Sequence, residues 1–236
     1  MCGRFVFCAT AGDVAGQFEL ENAPPAQARY NIVPGTGVVA IRSNPHHGAR
    51  EAAVLTWGLV PPWADDPSIA YRMINARRET AAQKPAFRHA MRRRRCLIPA
   101  DGFYEWRRNG SGPKQPYYFR APGGERLLAF AGLWEHWDSP DGSEIESCCL
   151  LTTEANELMA PIHNRMPVLI APRDYARWLD PANEKPHTLQ ELFAPPPTDT
   201  LEHWPVSPAV NFAENDSPEL LTPTTAHPGA GQQELF

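Results

Sequence analysis

Short apolar runs recur along the whole chain, separated by prolines, glycines and polar clusters, a pattern that predicts many short strands. Val38–Ile41 is apolar and β-branched, residues 43–50 read as a polar hairpin tip, and Ala53–Leu59 resumes as a strand. Cys96–Ile98 and Phe103–Trp106 are strand-like on either side of Asp101-Gly102, a dipeptide that signals a hairpin. Arg108–Gln115 reads as a turn, and Tyr117–Arg120, Arg126–Leu133, Ile145–Thr152 and Val168–Ile170 add strands. Trp204–Val206 and Glu219–Leu221 are late edge strands. Helical signals are fewer and shorter. Thr10 caps a helix through Leu20, with Val14 and Phe18 four apart on one face. Ile74–Thr80 opens a helical stretch, Phe87–Arg94 is a basic helix, and Glu154–Met159, Arg173–Leu179 and His187–Phe193 are short helices. Arg29–Gly35 reads as a loop ending in a Pro-Gly turn. Strands throughout, without a regular βαβ beat, predict an α+β fold around a curved, mostly antiparallel, barrel-like sheet flanked by short helices. Residues 1–222 read as one domain and 223–236 as a flexible tail.

Composition narrows the class. Of the 236 residues, 42% are hydrophobic and 10% aromatic, which indicates a soluble globular protein with a substantial core. No stretch has the apolar length of a membrane span, and no basic segment with an apolar run marks a secretory signal. The five cysteines (Cys2, Cys8, Cys96, Cys148, Cys149) include no CxxC pair, so reduced thiols in the cytoplasm are expected, with no cofactor or metal. The net charge of −5 is unevenly spread. Nine Lys/Arg stand between Arg72 and Arg95 against the single acid Glu79, and no Lys or Arg follows Lys185. That positive field suits a polyanionic partner, although a solvated helix face accounts for part of it.

The candidate chemistry begins at Met1-Cys2-Gly3-Arg4. Removal of Met1 would leave residue 2 with a free α-amine and a thiol, groups that ordinarily titrate at about 7.7–8.0 and about 8.5. Such a 1,2-aminothiol attacks an acyl carbon through sulfur, or condenses with an aldehyde through nitrogen and then closes a ring through sulfur. A small residue at this position also serves simply to permit processing. Four further polar residues stand where strand-building residues are expected. Asn75 follows Ile74, Glu105 lies between Tyr104 and Trp106, His163 follows Ile162 in a proline-bracketed loop, and Arg165 is two residues on. A carboxylate among aromatics suits proton transfer. The plainer alternatives are a solvent-facing Glu105 and a hydrogen-bonded loop histidine. Trp63, after Pro61-Pro62, is either a core plug or an exposed stacking surface, and tryptophans are usually mostly buried.

Together these residues resemble the SOS response-associated peptidase (SRAP) family, whose members process abasic sites in DNA. The resemblance runs from Met1-Cys2-Gly3-Arg4-Phe5 through Arg29-Tyr30-Asn31 and Pro34-Gly35-Thr36 to Trp57-Gly58-Leu59 and Pro62-Trp63. It continues through residues 74–80, 95–106 and 131–135, then Ile162-His163-Asn164-Arg165-Met166-Pro167 and Pro205-Val206-Ser207 with Val210-Asn211. About the first 220 residues are covered in order. Asn164 stands where the family more often has Asp, which alters hydrogen bonding around His163.

The resemblance implies that processed Cys2 captures the aldehyde of an abasic site in single-stranded DNA as a covalent thiazolidine. Asn75 would hold the amine or the sugar, Glu105 would shuttle protons, and His163 would assist sugar ring-opening or later reversal. Arg4, Arg77 and Arg165 are expected phosphate contacts, and Trp63 stacks on a base or wedges the strand. Alternatives are a thiol (auto)peptidase, a non-catalytic sensor of single-stranded DNA, and an N-terminal-nucleophile amidotransferase. Arg4 and Phe5 depart from the usual start of the last class. The final residues, Gln232-Gln233-Glu234-Leu235-Phe236, resemble a bacterial sliding-clamp-binding motif in which Gln232, Leu235 and Phe236 are the anchors; a disordered tail is the alternative.

Overall fold

In the computed structural model, residues 2–225 are described apart from 26, 111, 125 and 140, so the Gln232, Leu235 and Phe236 motif lies outside the described residues. In chain order the elements are β1 (Phe5–Phe7), α1 (Ala11–Phe18), β2 (Arg29–Ile32), β3 (Gly37–Ser43), β4 (Arg50–Trp57), β5 (Asn75–Arg77), α2 (Arg78–Ala81) and α3 (Arg88–Arg93). There follow β6 (Arg95–Ala100), β7 (Gly102–Arg107), β8 (Gln115–Arg120), β9 (Leu128–Asp138), β10 (Glu144–Glu154), β11 (Arg165–Pro167), α4 (Tyr175–Leu179) and β12 (Glu202–Pro205). The fold is the α+β arrangement with a barrel-like core that the pattern predicts.

Strands β10, β4, β3, β6 and β9 pair in that order, and β9 pairs back onto β10, closing a five-stranded barrel. The β10–β4 seam is parallel, Ser147 facing Thr56, whereas the other barrel pairs are antiparallel. Beyond that seam β10 continues as the parallel partner of β5, Leu150 to Thr152 matching Asn75 to Arg77. Its last residues pair antiparallel with β11. A second sheet, ordered β12-β8-β7-β1-β2, packs on the barrel. The interface is aromatic: the Phe5 ring lies 5.1 Å from Trp57 and 5.9 Å from Phe130, and Phe103 stacks 5.1 Å from Phe119. Burying each such side chain contributes about 1.5–3 kcal/mol, so β1 is pinned to the barrel close to Cys2. Two glycines permit close approaches here. A Cβ on Gly102 would lie 2.3 Å from the Phe119 carbonyl oxygen, and one on Gly132 would lie 2.7 Å from Cys96 Sγ.

Helix α1 forms as predicted: Thr10 Oγ1 accepts from the Asp13 amide at 3.2 Å, the Asp13 carboxylate accepts from the Thr10 amide, and Val14 and Phe18 are buried. Several local expectations change. The Asp101-Gly102 turn does not close a hairpin. It carries the chain from the barrel to the second sheet, β6 pairing β3 and β9 while β7 pairs β1 and β8. Residues 29–32 are a strand rather than a loop, because they complete the edge beside β1. Residues 75–77 are a strand, since β10 offers them an edge, and helix begins only at Arg78. Glu154 ends β10 and residues 157–162 form turns, so the helix expected over Glu154–Met159 is absent. Strand β11 lies at 165–167, and Leu169 makes only an isolated bridge to Phe130. Residues 218–221 are a 3-10 turn, and the bridge to Val206 falls on Pro223. Among the described residues no helix is long and apolar enough to cross a membrane.

Candidate functional site

The antiparallel register of β1 and β7 pairs Phe5 with Phe103 and Val6 with Gly102. Extended by the bond from the Tyr104 amide to the Arg4 carbonyl, it sets Glu105 across from Gly3. Cys2 therefore leaves β1 beside the Glu105 carboxylate. Both are buried, Cys2 at 0% and Glu105 at 2% exposure, so Glu105 does not face solvent. From the other side, β5 presents Asn75, whose Nδ2 donates to the Cys2 carbonyl oxygen at 2.8 Å. The Asn75 Oδ1 is buried with no hydrogen-bond partner among the described residues. Burial pushes the Cys2 thiol pKa up, and the Glu105 charge adds to the rise. Both effects disfavour the thiolate form of Cys2.

His163 and Arg165 stand on the far side of β10, at the entrance to β11. The Arg165 amide donates to His163 Nδ1 at 3.0 Å, and the same Nδ1 lies 3.1 Å from the Arg165 carbonyl oxygen. His163 is therefore a loop histidine whose ring is held against the backbone of Arg165. Arg77 is exposed on β5, paired with Thr152 of β10.

The remaining predicted contacts are placed differently. The Arg4 guanidinium donates to Asn31 Oδ1 at 2.8 Å, to the Val210 carbonyl at 2.7 Å and to the Asn211 carbonyl at 3.2 Å, tying residues 210–211 to β1. The Arg165 fork is taken by Glu79, at 2.6 and 3.0 Å, and by the Thr152 carbonyl at 2.6 Å. Trp63 is 57% exposed and is therefore not a core plug. It borders an open cleft of about 740 Å³ with Pro62, Arg88, His89 and Arg94, and that cleft shares no lining residue with Cys2, Asn75, Glu105 or His163.

The basic run also divides. Arg78 pairs with Glu154, Arg93 with Glu184 and Arg94 with the buried Glu135, while buried Arg95 donates to backbone carbonyls. Arg72, Arg77, Lys84, Arg88 and Arg92 are exposed and form no ion pair among the described residues. About half of the positive field is thus open to solvent.

Three features escaped sequence reasoning. Glu79 holds Arg165; its signal was its position as the lone acid in the basic run. Asn31, 1% exposed, donates to the carbonyls of Val210, Phe212 and Asn215; it belongs to the Arg-Tyr-Asn motif but had no assigned role. His136, Asp138 and Glu144, on the paired ends of β9 and β10, bring potential ligand atoms within 4.8 Å of one another. Their spacing conceals this because the carboxylates meet only through strand pairing. Asp138 and Glu144 are exposed.

A closed barrel with a packed second sheet, and a buried thiol at residue 2 set between an amide and a carboxylate, defines an α+β protein with a cysteine site beside its second sheet. The family model for SOS response associated peptidase (SRAP) matches residues 1–213, and the chain belongs to that family. It is 41% identical over 224 residues to the abasic site processing protein YoqW of Bacillus subtilis (strain 168), covering 94% of this chain and 99% of that protein. It is 32% identical over 223 residues to the abasic site processing protein HMCES of Xenopus tropicalis, covering 83% of this chain and 66% of that protein. An X-ray structure of a protein from Bacteroides thetaiotaomicron superposes with a TM-score of 0.80 over 94% of this chain and 100% of that one; at 24% identity, this is a likeness of fold.

Proposed function

We propose that this protein processes abasic sites in single-stranded DNA by capturing them covalently at Cys2 once Met1 has been removed. The observation that carries the reading is Cys2 itself, buried beside Glu105 with its carbonyl held by Asn75. Relatives named as abasic site processing proteins over nearly the whole chain support it.

The closed sugar first opens: the C1′ hydroxyl loses its proton, O4′ gains one, and C1′ becomes an aldehyde. His163 assists this exchange. The Cys2 amine attacks C1′, and the carbinolamine loses water to form an imine. Sγ then adds to the imine carbon while the thiol proton is delivered to nitrogen, closing a five-membered thiazolidine. The net change is loss of one water. Glu105 accepts the Sγ proton and returns it to the leaving hydroxyl or to nitrogen. Asn75 Oδ1 supplies the acceptor for the amine or a sugar hydroxyl, and ring closure gains the high effective concentration of an adjacent nucleophile. Arg77 with the open cations of the basic run contacts phosphates, and Trp63 stacks on a base. Arg4 and Arg165 reach phosphate only by giving up their present partners.

The test is intact mass after mixing purified protein with a single-stranded oligonucleotide bearing one abasic site. The expected species is protein lacking Met1 plus DNA minus one water, absent in Cys2→Ala. Unmodified masses for fully processed protein would overturn covalent capture and favour the peptidase reading of the same thiol.

A further inference from the structure

The parts of the proposed site lie on opposite edges of one strand. Asn75, which holds Cys2, is on β5; His163 precedes β11; and β10 pairs with both, through 150–152 and 152–154. One side-chain bridge spans that strand. Glu79, in the first turn of α2 directly after β5, takes both terminal nitrogens of Arg165 in a two-point fork, while Arg165 also donates to the carbonyl of Thr152 on β10 itself. The Arg165 amide in turn donates to His163 Nδ1.

We propose that Glu79 is a positioning residue for the reaction at Cys2: it fixes Arg165, and through it the His163 ring, against the strand that carries Asn75. The inference rests on the capture reading above.

Three observations carry it. The Arg165 side chain is only 15% exposed and the Glu79 side chain 40%, so the bridge lies at the surface, and its two-point geometry, with Arg165 also held by the Thr152 carbonyl, is what sets it apart from a loose surface contact. Hydrogen bonding to Arg165 holds the Glu79 carboxyl below the usual carboxylate range, so the bridge is charged throughout the neutral range. Glu79 is itself braced, with Arg78 3.6 Å from its Oε1 and joined to Glu154 at the end of β10. An acid placed alone in a basic run, where it weakens the field for phosphate, is explained by this bridge. A fork of fixed geometry restrains the His163 loop, and a displacement of about 1 Å at a reacting group costs up to roughly a hundredfold in rate.

The experiment measures crosslinking to a single-stranded abasic-site oligonucleotide for the full chain, with maximal rate and half-saturating DNA concentration determined separately. Glu79→Ala is expected to lower the maximal rate roughly tenfold to a hundredfold without raising the half-saturating concentration. Glu79→Gln, which keeps one acceptor for Arg165, is expected to fall between Glu79→Ala and the parent. Because Glu79 acts through His163, Glu79→Ala combined with His163→Ala should be no slower than His163→Ala alone. An unchanged maximal rate in Glu79→Ala would overturn the proposal. So would losses that multiply in the double variant, or a defect confined to DNA affinity. A parent protein that forms no crosslink would instead refute the capture reading, and that outcome is read before any variant is compared.

Discussion

At the scale of single residues, the site is built from side chains whose roles are set by what they touch. Asn75 is the clearest case. Its Nδ2 bond to the Cys2 carbonyl orients residue 2, and its Oδ1 is a buried acceptor with no protein partner among the described residues. Removing the amide forfeits one hydrogen bond, about 0.5–1.5 kcal/mol of stability, but it frees residue 2 to reorient. Asn75→Ala is therefore expected to melt within a few degrees of the parent while its crosslinking rate falls roughly tenfold or more. Parallel thermal melts and single-turnover crosslinking check both halves. Arg4 has partners that its identity alone does not announce: its guanidinium donates to Asn31 and to two backbone carbonyls of residues 210–211, some two hundred positions away.

At the scale of elements, the barrel interior leaves little room at its seams. β6 and β9 are buried on both faces, and Gly132 of β9 faces Cys96 of β6. A methyl group there would come within 2.7 Å of Cys96 Sγ and 3.1 Å of Ile98 Cδ1. Gly132→Ala should thus destabilise the protein by about 1–3 kcal/mol through overpacking. A second change, Cys96→Ala, removes the sulfur and should recover part of that loss, which urea titration of the single and double variants will show. The same scale explains why residues 95–107 look like a hairpin in sequence and are not. Period-two runs around Asp-Gly specify two strands and a turn, but pairing goes to whichever edge buries more surface. Here the barrel claims β6, and the sheet carrying Cys2 claims β7.

At the scale of the whole molecule, the core makes stability depend on pH. Cys96, Cys148 and Cys149 are fully buried, and burial raises the pKa of each well above that of an unfolded thiol, about 8.5. Below that value both states keep the protons and the contribution is constant. Above it the unfolded chain releases protons that the folded one retains, so stability falls as pH rises. The three thiols together should cost roughly 4 kcal/mol between about pH 7.5 and 9.5, read from urea midpoints under reducing conditions. Replacing Cys148 and Cys149 with Ala should flatten that slope. What the sequence alone determined was local or carried by motif: the capped helix at Thr10, the strand-rich pattern, and the choice of Cys2, Glu105 and His163 as the residues to which the proposed chemistry is assigned. These follow from side-chain chemistry and from periodicities a few residues long. Only the tertiary structure decided that β10 closes a barrel through a parallel seam, that residues 29–32 and 75–77 are strands, and that Glu79 captures Arg165. It also left Trp63 in the open and divided the basic run into paired and free charges. Strand edges and charge partners are set by residues far apart in the chain, and their competition is settled only when the whole core is buried.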